Sequence, residues 1–131
     1  MSPVINFTSM LAVGAGAALG AWSRWGLGLA FNTILPDFPL GTLVANLVGG
    51  LLMGLAMGLI GVGSLDSASL RLFITTGFLG GLTTFSAFTG ESLTLLHKQE
   101  YVLAMLHTCS HVFGALLMAA AGVAFIQYLK H

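Results

Sequence analysis

Charged side chains divide this chain into long uncharged stretches. No Asp, Glu, Lys or Arg occurs from Met1 to Ser23, from Phe38 to Leu65, from Leu72 to Gly90 or from Tyr101 to Leu129. A helix that spans the hydrocarbon core of a bilayer needs about 20 mostly apolar residues. Each of these stretches is about that long or longer, so the chain can supply four transmembrane helices joined by short links.

The composition agrees with a membrane protein. Only 6% of the 131 residues are charged, whereas 56% are hydrophobic. A soluble domain carries about 25% charged residues, which keep its surface wetted. We therefore expect an all-α integral membrane protein without a soluble domain. Its net charge is zero, and the sequence offers no basic run that would predict a nucleic-acid partner.

We expect residues 1–131 to form a single transmembrane domain. A turn is predicted at Leu35–Pro39, where two prolines restrict the residues before them. A cleaved signal peptide is the alternative for the first stretch, but no Lys or Arg precedes its apolar run and Arg24 follows it. We therefore expect a retained first helix. The expected helices cover about 10–31, 41–63, 71–96 and 101–129.

Several of the 18 glycines recur four residues apart. Gly16 and Gly20 have this spacing in the first helix, and Gly50, Gly54 and Gly58 have it in the second. On a helix, such glycines form a smooth face that lets another backbone approach closely, which drives packing in lipid. We predict close helix contacts at both places.

The few charges at the ends of the spans are balanced between the two sides of the membrane. Four spans place Arg71 and Lys130 on one side, with Arg24 and Lys98 on the other. Cytoplasmic loops normally carry the excess of Lys and Arg, so two against two gives no preferred orientation. The simplest prediction is insertion in both orientations and an antiparallel homodimer, with a two-fold axis in the membrane plane. Insertion in a single orientation is the alternative.

The third stretch contains a weak helical segment near its middle. Two adjacent glycines, Gly80 and Gly81, are followed closely by Thr83 and Thr84. Glycine is conformationally permissive, and threonine side chains compete for backbone hydrogen bonds. We predict a break in the helix here, of the kind tolerated at membrane depth where it is buried in protein or lines a polar cavity. A continuous helix with a small-residue packing face is the alternative.

Two polar side chains inside the spans are candidate functional groups. The Asn46 amide offers two donors that suit an anion, although it could equally bond to another helix and stabilise the bundle. Glu91 is an ionisable group in a span, which marks a functional site by default. Its alternative is a position near the helix end from which the carboxylate reaches the interface.

Phe85 and Phe88 are three residues apart, so we expect them to point the same way along the third helix. Phenylalanines at helical spacing are usually core or lipid-facing residues. The positive edge of an aromatic ring can also meet an anion without offering a fixed charge.

His107 and His111 lie four residues apart in the fourth helix, a spacing found in metal sites. No Glu or third ligand accompanies them in the sequence, so we do not expect a zinc or two-metal enzyme. A histidine that lines a cavity, or one satisfied by a neighbouring helix, is the preferred interpretation. The sequence shows no nucleophile–base pair, phosphate loop or paired carboxylates, so we do not expect an enzyme.

Three blocks of sequence together resemble the Fluc, or CrcB, family of bacterial fluoride channels. The first helix carries Gly16-x3-Gly20-Ala21-x2-Arg24-Trp25, and the second carries Gly41-Thr42-Leu43-x2-Asn46-Leu47. The third carries Gly80-Gly81-Leu82-Thr83-Thr84-Phe85-Ser86-x-Phe88. The resemblance covers essentially the whole chain, with the blocks in the family's order.

The resemblance implies an antiparallel dual-topology homodimer in the bacterial cytoplasmic membrane, with two fluoride pores beside the dimer interface. The implied role is passive efflux of fluoride that entered the cell as its uncharged acid. The breaks in the third helices of the two subunits are implied to meet at the two-fold axis. There the backbone carbonyls of Gly80 and Thr83 would hold a structural sodium ion.

The resemblance also implies the residues of the pore. The ring edges of two phenylalanines would face fluoride, an asparagine amide would donate to it, an arginine would stand at the vestibule, and hydroxyls would continue the track. Neutral donors in a narrow pore suit a small, strongly hydrated anion, because a fixed positive charge would bind it too tightly for release. The expected pore residues are Arg24, Thr42, Asn46, Phe85, Ser86, Phe88, Glu91 and His111.

The chain departs from the family pattern at Ala87, Ala115 and Ala119, where the family usually has hydroxyl side chains. His111 lies one turn before Ala115, at a position where other members have a polar residue. We expect a channel that is selective for fluoride but conducts more slowly than its relatives.

Two other functions fit a membrane protein of this size. A small proton-coupled multidrug antiporter with dual topology needs a membrane-embedded carboxylate, but the first helix has none and Glu91 lies toward the end of the third. A non-transporting assembly subunit would use Asn46 and the glycines only for packing, and no ion flux would survive its purification.

Overall fold

The protein is described by a computed structural model over residues 5–131, and this part of the chain forms helices joined by short links. Residues 1–4, at the start of the first uncharged stretch, lie outside the described range. In chain order the elements are α1 (Phe7–Phe31), α2 (Leu40–Gly61), α3 (Ala68–Leu72), the π-helical segment π1 (Phe73–Leu79), α4 (Gly80–Leu82), α5 (Phe85–His97) and α6 (Tyr101–Leu129).

Asparagine side chains hold both ends of α1. At its start, Asn6 Oδ1 accepts a hydrogen bond from the Ser9 N–H at 2.7 Å, which is a helix N-cap. After its end, Asn32 Oδ1 accepts from the Thr42 N–H at 3.2 Å and so ties the link to the first turn of α2. The predicted turn at Leu35–Pro39 is confirmed within this link.

The third helical stretch is interrupted at Thr83 and Thr84. Thr83 has φ −81° and ψ 154°, and Thr84 has φ −148° and ψ 119°, so both residues are extended. The Thr83 hydroxyl donates to the Leu79 carbonyl at 2.7 Å, and Thr84 Oγ1 accepts from the Ala87 N–H at 3.0 Å, which caps α5. The predicted break is confirmed, and the alternative of a continuous helix is wrong.

The helix ahead of the break is π-helical rather than α-helical. Residues Phe73–Leu79 form π1, a type of helix that is rare and frequently found at functional sites. Within this segment, the Thr75 hydroxyl donates back to the Arg71 carbonyl at 2.7 Å. No feature of the sequence pattern predicts this widening of the helix.

Glycines bring the helices together at the two predicted places. A side chain at Gly54 would collide with the Ala119 carbonyl oxygen, so α2 and α6 approach each other through their backbones. Gly20 meets the Phe78 carbonyl in the same way, so α1 lies directly against the third stretch. Both predicted contacts are confirmed, and they hold α2 and the broken stretch against their neighbours on either side.

Three helical stretches in the described chain are long and apolar enough to cross a membrane: Leu40–Gly61, Ala68–His97 and Tyr101–Leu129. The 25 residues of α1 could also reach across a bilayer, but Arg24 and the many small residues lower their hydropathy. Large apolar side chains such as Trp22, Leu117 and Phe125 are exposed on the outer faces of the helices. Such a surface suits lipid contact, and the chain is a multi-pass membrane protein.

Candidate functional site

A cavity of about 410 Å³ opens beside the break in the third stretch. Its wall comes from α2, from the two sides of the break and from α6. Four of the expected site residues meet there from three different elements, together with both residues expected to hold sodium. The cavity-lining residues that matter here are Asn46, Gly80, Thr83, Thr84, Phe85, Phe88, His111 and Ala115.

The Asn46 side chain binds both backbone groups of Thr84. Its Oδ1 accepts from the Thr84 N–H at 2.8 Å, and its Nδ2 donates to the Thr84 carbonyl at 3.1 Å. The interrupted helix leaves these backbone groups without helical partners, and a buried unpaired group would be costly. Asn46 therefore stabilises the break as a partner strand would, and this pairing fixes which end of its amide is oxygen.

The second hydrogen on Asn46 Nδ2 points to His111. Its distance to His111 Nδ1 is 2.9 Å. Because an amide nitrogen only donates, His111 Nδ1 must accept, and the neutral ring then carries its proton on Nε2. Among the described residues, His111 Nε2 is a buried side-chain nitrogen without a hydrogen-bond partner. Within the subunit both N–H groups of Asn46 are paired, and His111 Nε2–H is an unpaired donor.

Aromatic rings surround this donor. The Phe88 ring lies 4.8 Å from the His111 ring and 5.3 Å from the His107 ring, between centroids. Phe85 lies 5.6 Å from Phe88, but it is 78% exposed, whereas Phe88 is 8% exposed. The two rings are neighbours, as their spacing predicts, yet only one is part of the packed interior of the subunit.

A second polar cluster continues from His111 toward the far end of α5. The Thr42 hydroxyl donates to Glu91 Oε2 at 2.6 Å, and Glu91 Oε1 lies 3.1 Å from His107 Nε2. His107 is fully buried, and its Nδ1 lies 2.9 Å from the Ser92 hydroxyl. The carboxylate is therefore held inside the subunit and does not reach the helix end, so the alternative role for Glu91 is wrong.

The expectation that no third ligand accompanies the two histidines is also wrong. Glu91 comes from α5, and one ligand atom from each of Glu91, His107 and His111 lies within 4.8 Å of the others. The cluster could not be predicted from the sequence because its members come from two different helices, which pack side by side.

A smaller pocket of about 110 Å³ lies on the other side of Glu91. Asp37 and Lys98 stand at this pocket, with Lys98 Nζ 3.3 Å from Asp37 Oδ1. Both side chains are 56% exposed, and such exposed pairs contribute little to stability. The two pockets therefore end at opposite sides of one polar cluster, which runs from Glu91 through His107 to His111.

Two of the expected pore residues lie apart from this cluster. Arg24 donates from Nε to the Gly81 carbonyl at 3.2 Å, behind the break, and is not among the residues that line either cavity. Ser86 is exposed, with its hydroxyl 3.3 Å from the Thr84 hydroxyl. Within one subunit, the structure thus gives Arg24 a role in stabilising the break.

Two contributors were missed: Ser92, and Thr84 as the partner of Asn46. The preferred interpretation of His107 as a histidine satisfied by a neighbouring helix is confirmed, because it contacts Glu91 and Ser92 of α5. A signal for Ser92 was present, because a buried polar side chain such as His107 in so apolar a chain needs a partner. No signal in the sequence pointed to the backbone of Thr84 as the partner of Asn46, since that contact depends on the angle at which two helices meet.

The arrangement can bind an anion without a fixed positive charge. It offers one neutral N–H donor on His111 beside the Phe88 ring, in a polar cluster that lies between two pockets. Hydrogen-bond donors in a dry site act more strongly than they do in water, while a neutral donor does not hold an ion as a buried cation would.

Known proteins similar to this chain agree with one another. Residues 11–123 match the family described as CrcB-like protein, Camphor Resistance (CrcB). A protein of Aromatoleum aromaticum named "Fluoride-specific ion channel FluC" is 53% identical over 124 residues, which cover 95% of each chain. Proteins with the same name from Nitrosospira multiformis and Pseudomonas putida are 46% identical over 92% and 93% of this chain, and over 94% and 96% of their own lengths. This chain therefore belongs to the CrcB-like family.

Proposed function

We propose that this chain is the subunit of a fluoride-selective channel that lets fluoride leave the cell passively across the bacterial cytoplasmic membrane. The observation that carries the proposal is the unpaired Nε2–H of His111, a neutral buried donor that faces no protein acceptor. Relatives of this chain are named as fluoride channels, and fluoride is the halide that accepts hydrogen bonds most strongly.

In this proposal the pore follows the polar cluster between the two pockets. His111 donates to the ion directly, and Phe85 and Phe88 present their ring edges. Asn46 holds the His111 ring in its donating form, and one of its own N–H groups joins the ion only if a bond to Thr84 or His111 opens. Thr42 and Glu91 belong to the same cluster. Ser86 and Arg24 lie apart from it within one subunit, and their proposed places are the hydroxyl track and the vestibule.

The charge of Glu91 needs an explanation in an anion channel. A bare carboxylate beside the route would repel fluoride, but this one accepts from the Thr42 hydroxyl and faces His107 Nε2. Each of these two hydrogen bonds to the carboxylate weakens its negative potential along the route. We assign to Thr42 and His107 the role of keeping the carboxylate turned away from the passing ion.

The proposed assembly is an antiparallel homodimer in which residues 1–131 form one transmembrane domain with four spans per subunit. The balance of Arg24 and Lys98 against Arg71 and Lys130 supports insertion in both orientations. Gly80 and Thr83 border the cavity at the break, and their backbone carbonyls are the proposed ligands of a structural sodium ion shared by the two subunits.

A multidrug antiporter is not favoured. Such a transporter exchanges protons for a cationic drug at an accessible carboxylate, whereas Glu91 is held by a threonine and a buried histidine in a narrow cluster. The named relatives give no support to that function either.

The proposal can be tested in cells. A bacterium that lacks its own fluoride exporter and carries this chain is expected to grow at fluoride concentrations that stop the strain with an empty vector. Failure to rescue growth, with the protein present in the membrane at a normal level, would contradict it. Protection against cationic drugs without protection against fluoride would support the antiporter.

A further inference from the structure

The Glu91–His107–His111 cluster has the composition of a transition-metal site. We propose that these three side chains bind one divalent transition-metal ion of the Zn²⁺ or Cu²⁺ class per subunit, and that the bound ion closes the route between the two pockets. Imidazole suits zinc and copper, and two histidines with one carboxylate form a common set of three protein ligands for zinc.

The distances are close to those that a metal requires. Ligands bound tetrahedrally at zinc distances are roughly 3.3 Å apart. Glu91 Oε1 and His107 Nε2 are already 3.1 Å apart, and a ligand atom of His111 lies within 4.8 Å of both. A shift of up to about 1.5 Å by the His111 ring completes the set, and the fourth position is left for water.

The surroundings of His107 and Glu91 suit metal binding once the His107 proton moves from Nε2, where it faces Glu91, to Nδ1. A histidine ligand usually donates its other ring N–H to an acceptor, and the Ser92 hydroxyl stands 2.9 Å from His107 Nδ1. The carboxylate is oriented in the same way, because the Thr42 hydroxyl holds Glu91 Oε2 and leaves Oε1 facing His107.

His111 must also change the nitrogen that carries its proton, and it loses a hydrogen bond when it does. In the metal-free protein its Nδ1 accepts from Asn46, so its Nε2 carries the proton. To bind the metal through Nε2, that proton has to move to Nδ1, and the hydrogen bond from Asn46 is lost. One neutral hydrogen bond is worth far less than the binding of a divalent metal by three ligands. The metal therefore takes the ring that we propose as the donor for fluoride.

Two routes lead to the cluster. His111 lines the larger pocket and Glu91 lines the smaller one. An ion held by the three ligands would occupy the part of the polar cluster that lies between these pockets. Closure of the route rests on the proposed channel function, but binding of the metal does not.

The test measures Zn²⁺ binding to the purified, tag-free dimer in detergent by equilibrium dialysis. We expect one Zn²⁺ per subunit in the native protein and in His97→Gln/His131→Gln, which removes the two exposed histidines. Affinity should fall at least 100-fold in His107→Gln and at least tenfold in Glu91→Gln and His111→Gln. Equal binding by all of these variants, or binding lost only with His97 and His131, would overturn the proposal.

Asn46→Asp gives a result that no other site would produce. The carboxylate introduced at position 46 could accept from His111 Nδ1–H and so favour the metal-binding form of the ring. Zinc affinity should therefore rise about tenfold, the usual effect of a carboxylate behind a histidine ligand. An unchanged or lower affinity would show that His111 is not a ligand.

If the variants do not fold, the metal site can be tested with the native protein alone. Co²⁺ in a site of three protein ligands and one water should give the strong visible absorption of four-coordinate cobalt, and one equivalent of Zn²⁺ should remove it. A weak six-coordinate spectrum, or none, would overturn the site.

Closure of the route by the metal is tested separately, by measuring fluoride efflux. Micromolar Zn²⁺ should stop fluoride efflux from liposomes within the range in which it binds, and a chelator should restore the efflux. Fluoride efflux that continues with the site filled would contradict closure, whereas liposomes that release no fluoride at any zinc level would contradict the channel and not the metal site.

Discussion

Asn46 and Thr84 form a closed pair of hydrogen bonds, with the Thr84 N–H and carbonyl both bound to one side-chain amide, at 2.8 and 3.1 Å. The two residues are 38 positions apart in the chain, and Thr84 is buried. The pair joins α2 to the break in the third stretch. It also aims the remaining amide hydrogen at His111, so the break and the histidine donor depend on the same side chain.

Replacing His111 tests the donor. In His111→Phe the ring stays but the Nε2–H is lost, and the Asn46 amide loses its acceptor. A buried donor or acceptor left unpaired costs about 1–3 kcal/mol, so we expect fluoride flux to fall about tenfold to a hundredfold. His97→Gln, on the exposed end of α5, is the matched control and should conduct normally. Flux in His111→Phe equal to that of the native protein would remove His111 from the route.

Substitutions of the two phenylalanines should differ in their effects on fluoride flux and on the stability of the protein. Phe88 packs against the rings of both His107 and His111, so Phe88→Ile should lower fluoride flux. It should also lower the temperature of thermal unfolding in detergent, with a loss of about 1–3 kcal/mol in the free energy of unfolding. Phe85 is largely exposed on the subunit. Phe85→Ile should therefore lower flux with little change in the unfolding temperature of the subunit. Equal thermal destabilisation by both substitutions would be at odds with this structure.

Close packing of α2 on α6 can be tested at Gly54. A methyl group there meets the Ala119 carbonyl, so Gly54→Ala forces the helices apart and should destabilise the protein by about 1–3 kcal/mol. Gly61→Ala, at the end of the same helix, meets no atom within 4 Å and is the control. Thermal unfolding followed by gel filtration measures both, and a Gly54→Ala protein as stable as the native protein would argue against the contact.

The alanines of α6 differ in position, so their substitutions should differ in effect. Ala115 lines the larger cavity, whereas Ala119 lies against Gly54 and is not among the lining residues. If the missing hydroxyls slow conduction, Ala115→Ser should raise fluoride flux severalfold by adding a donor to the wall. Ala119→Ser should leave flux within about twofold of native, since a single hydroxyl away from the route rarely has a larger effect. If Ala119→Ser raised fluoride flux and Ala115→Ser did not, the proposed position of the route would be contradicted.

The sequence predicted some elements of the structure and missed others, and the difference has physical causes. Uncharged stretches and prolines predicted the helices and the link at Leu35–Pro39, because the bilayer and the pyrrolidine ring impose local rules. The pairs Gly80–Gly81 and Thr83–Thr84 predicted the break because the freedom of a glycine backbone and the hydrogen bonds of a threonine side chain are also local properties. The π-helical turns of π1 were not predicted, because they depend on how the stretch packs against α1.

The site was predicted in part. Asn46, Phe88 and His111 do line one cavity, but the resemblance suggested Asn46 as a direct donor and the structure commits both of its N–H groups. The contacts of Glu91 with His107 and of Arg24 with Gly81 join residues 16 and 57 positions apart. Such pairs depend on tertiary packing, and no spacing rule along one helix can predict them.

The most direct test of the proposed function is fluoride efflux from liposomes that contain the purified protein, followed with a fluoride-selective electrode and repeated with chloride. We expect rapid release of fluoride, negligible release of chloride, and at least a 100-fold loss of fluoride release in Asn46→Asp, in which a negative charge replaces the amide that holds Thr84 and His111. Asn32→Asp, which keeps the oxygen that accepts from Thr42, is the control and should conduct normally. Release of fluoride and chloride at similar rates, or no release from the folded protein, would contradict the account.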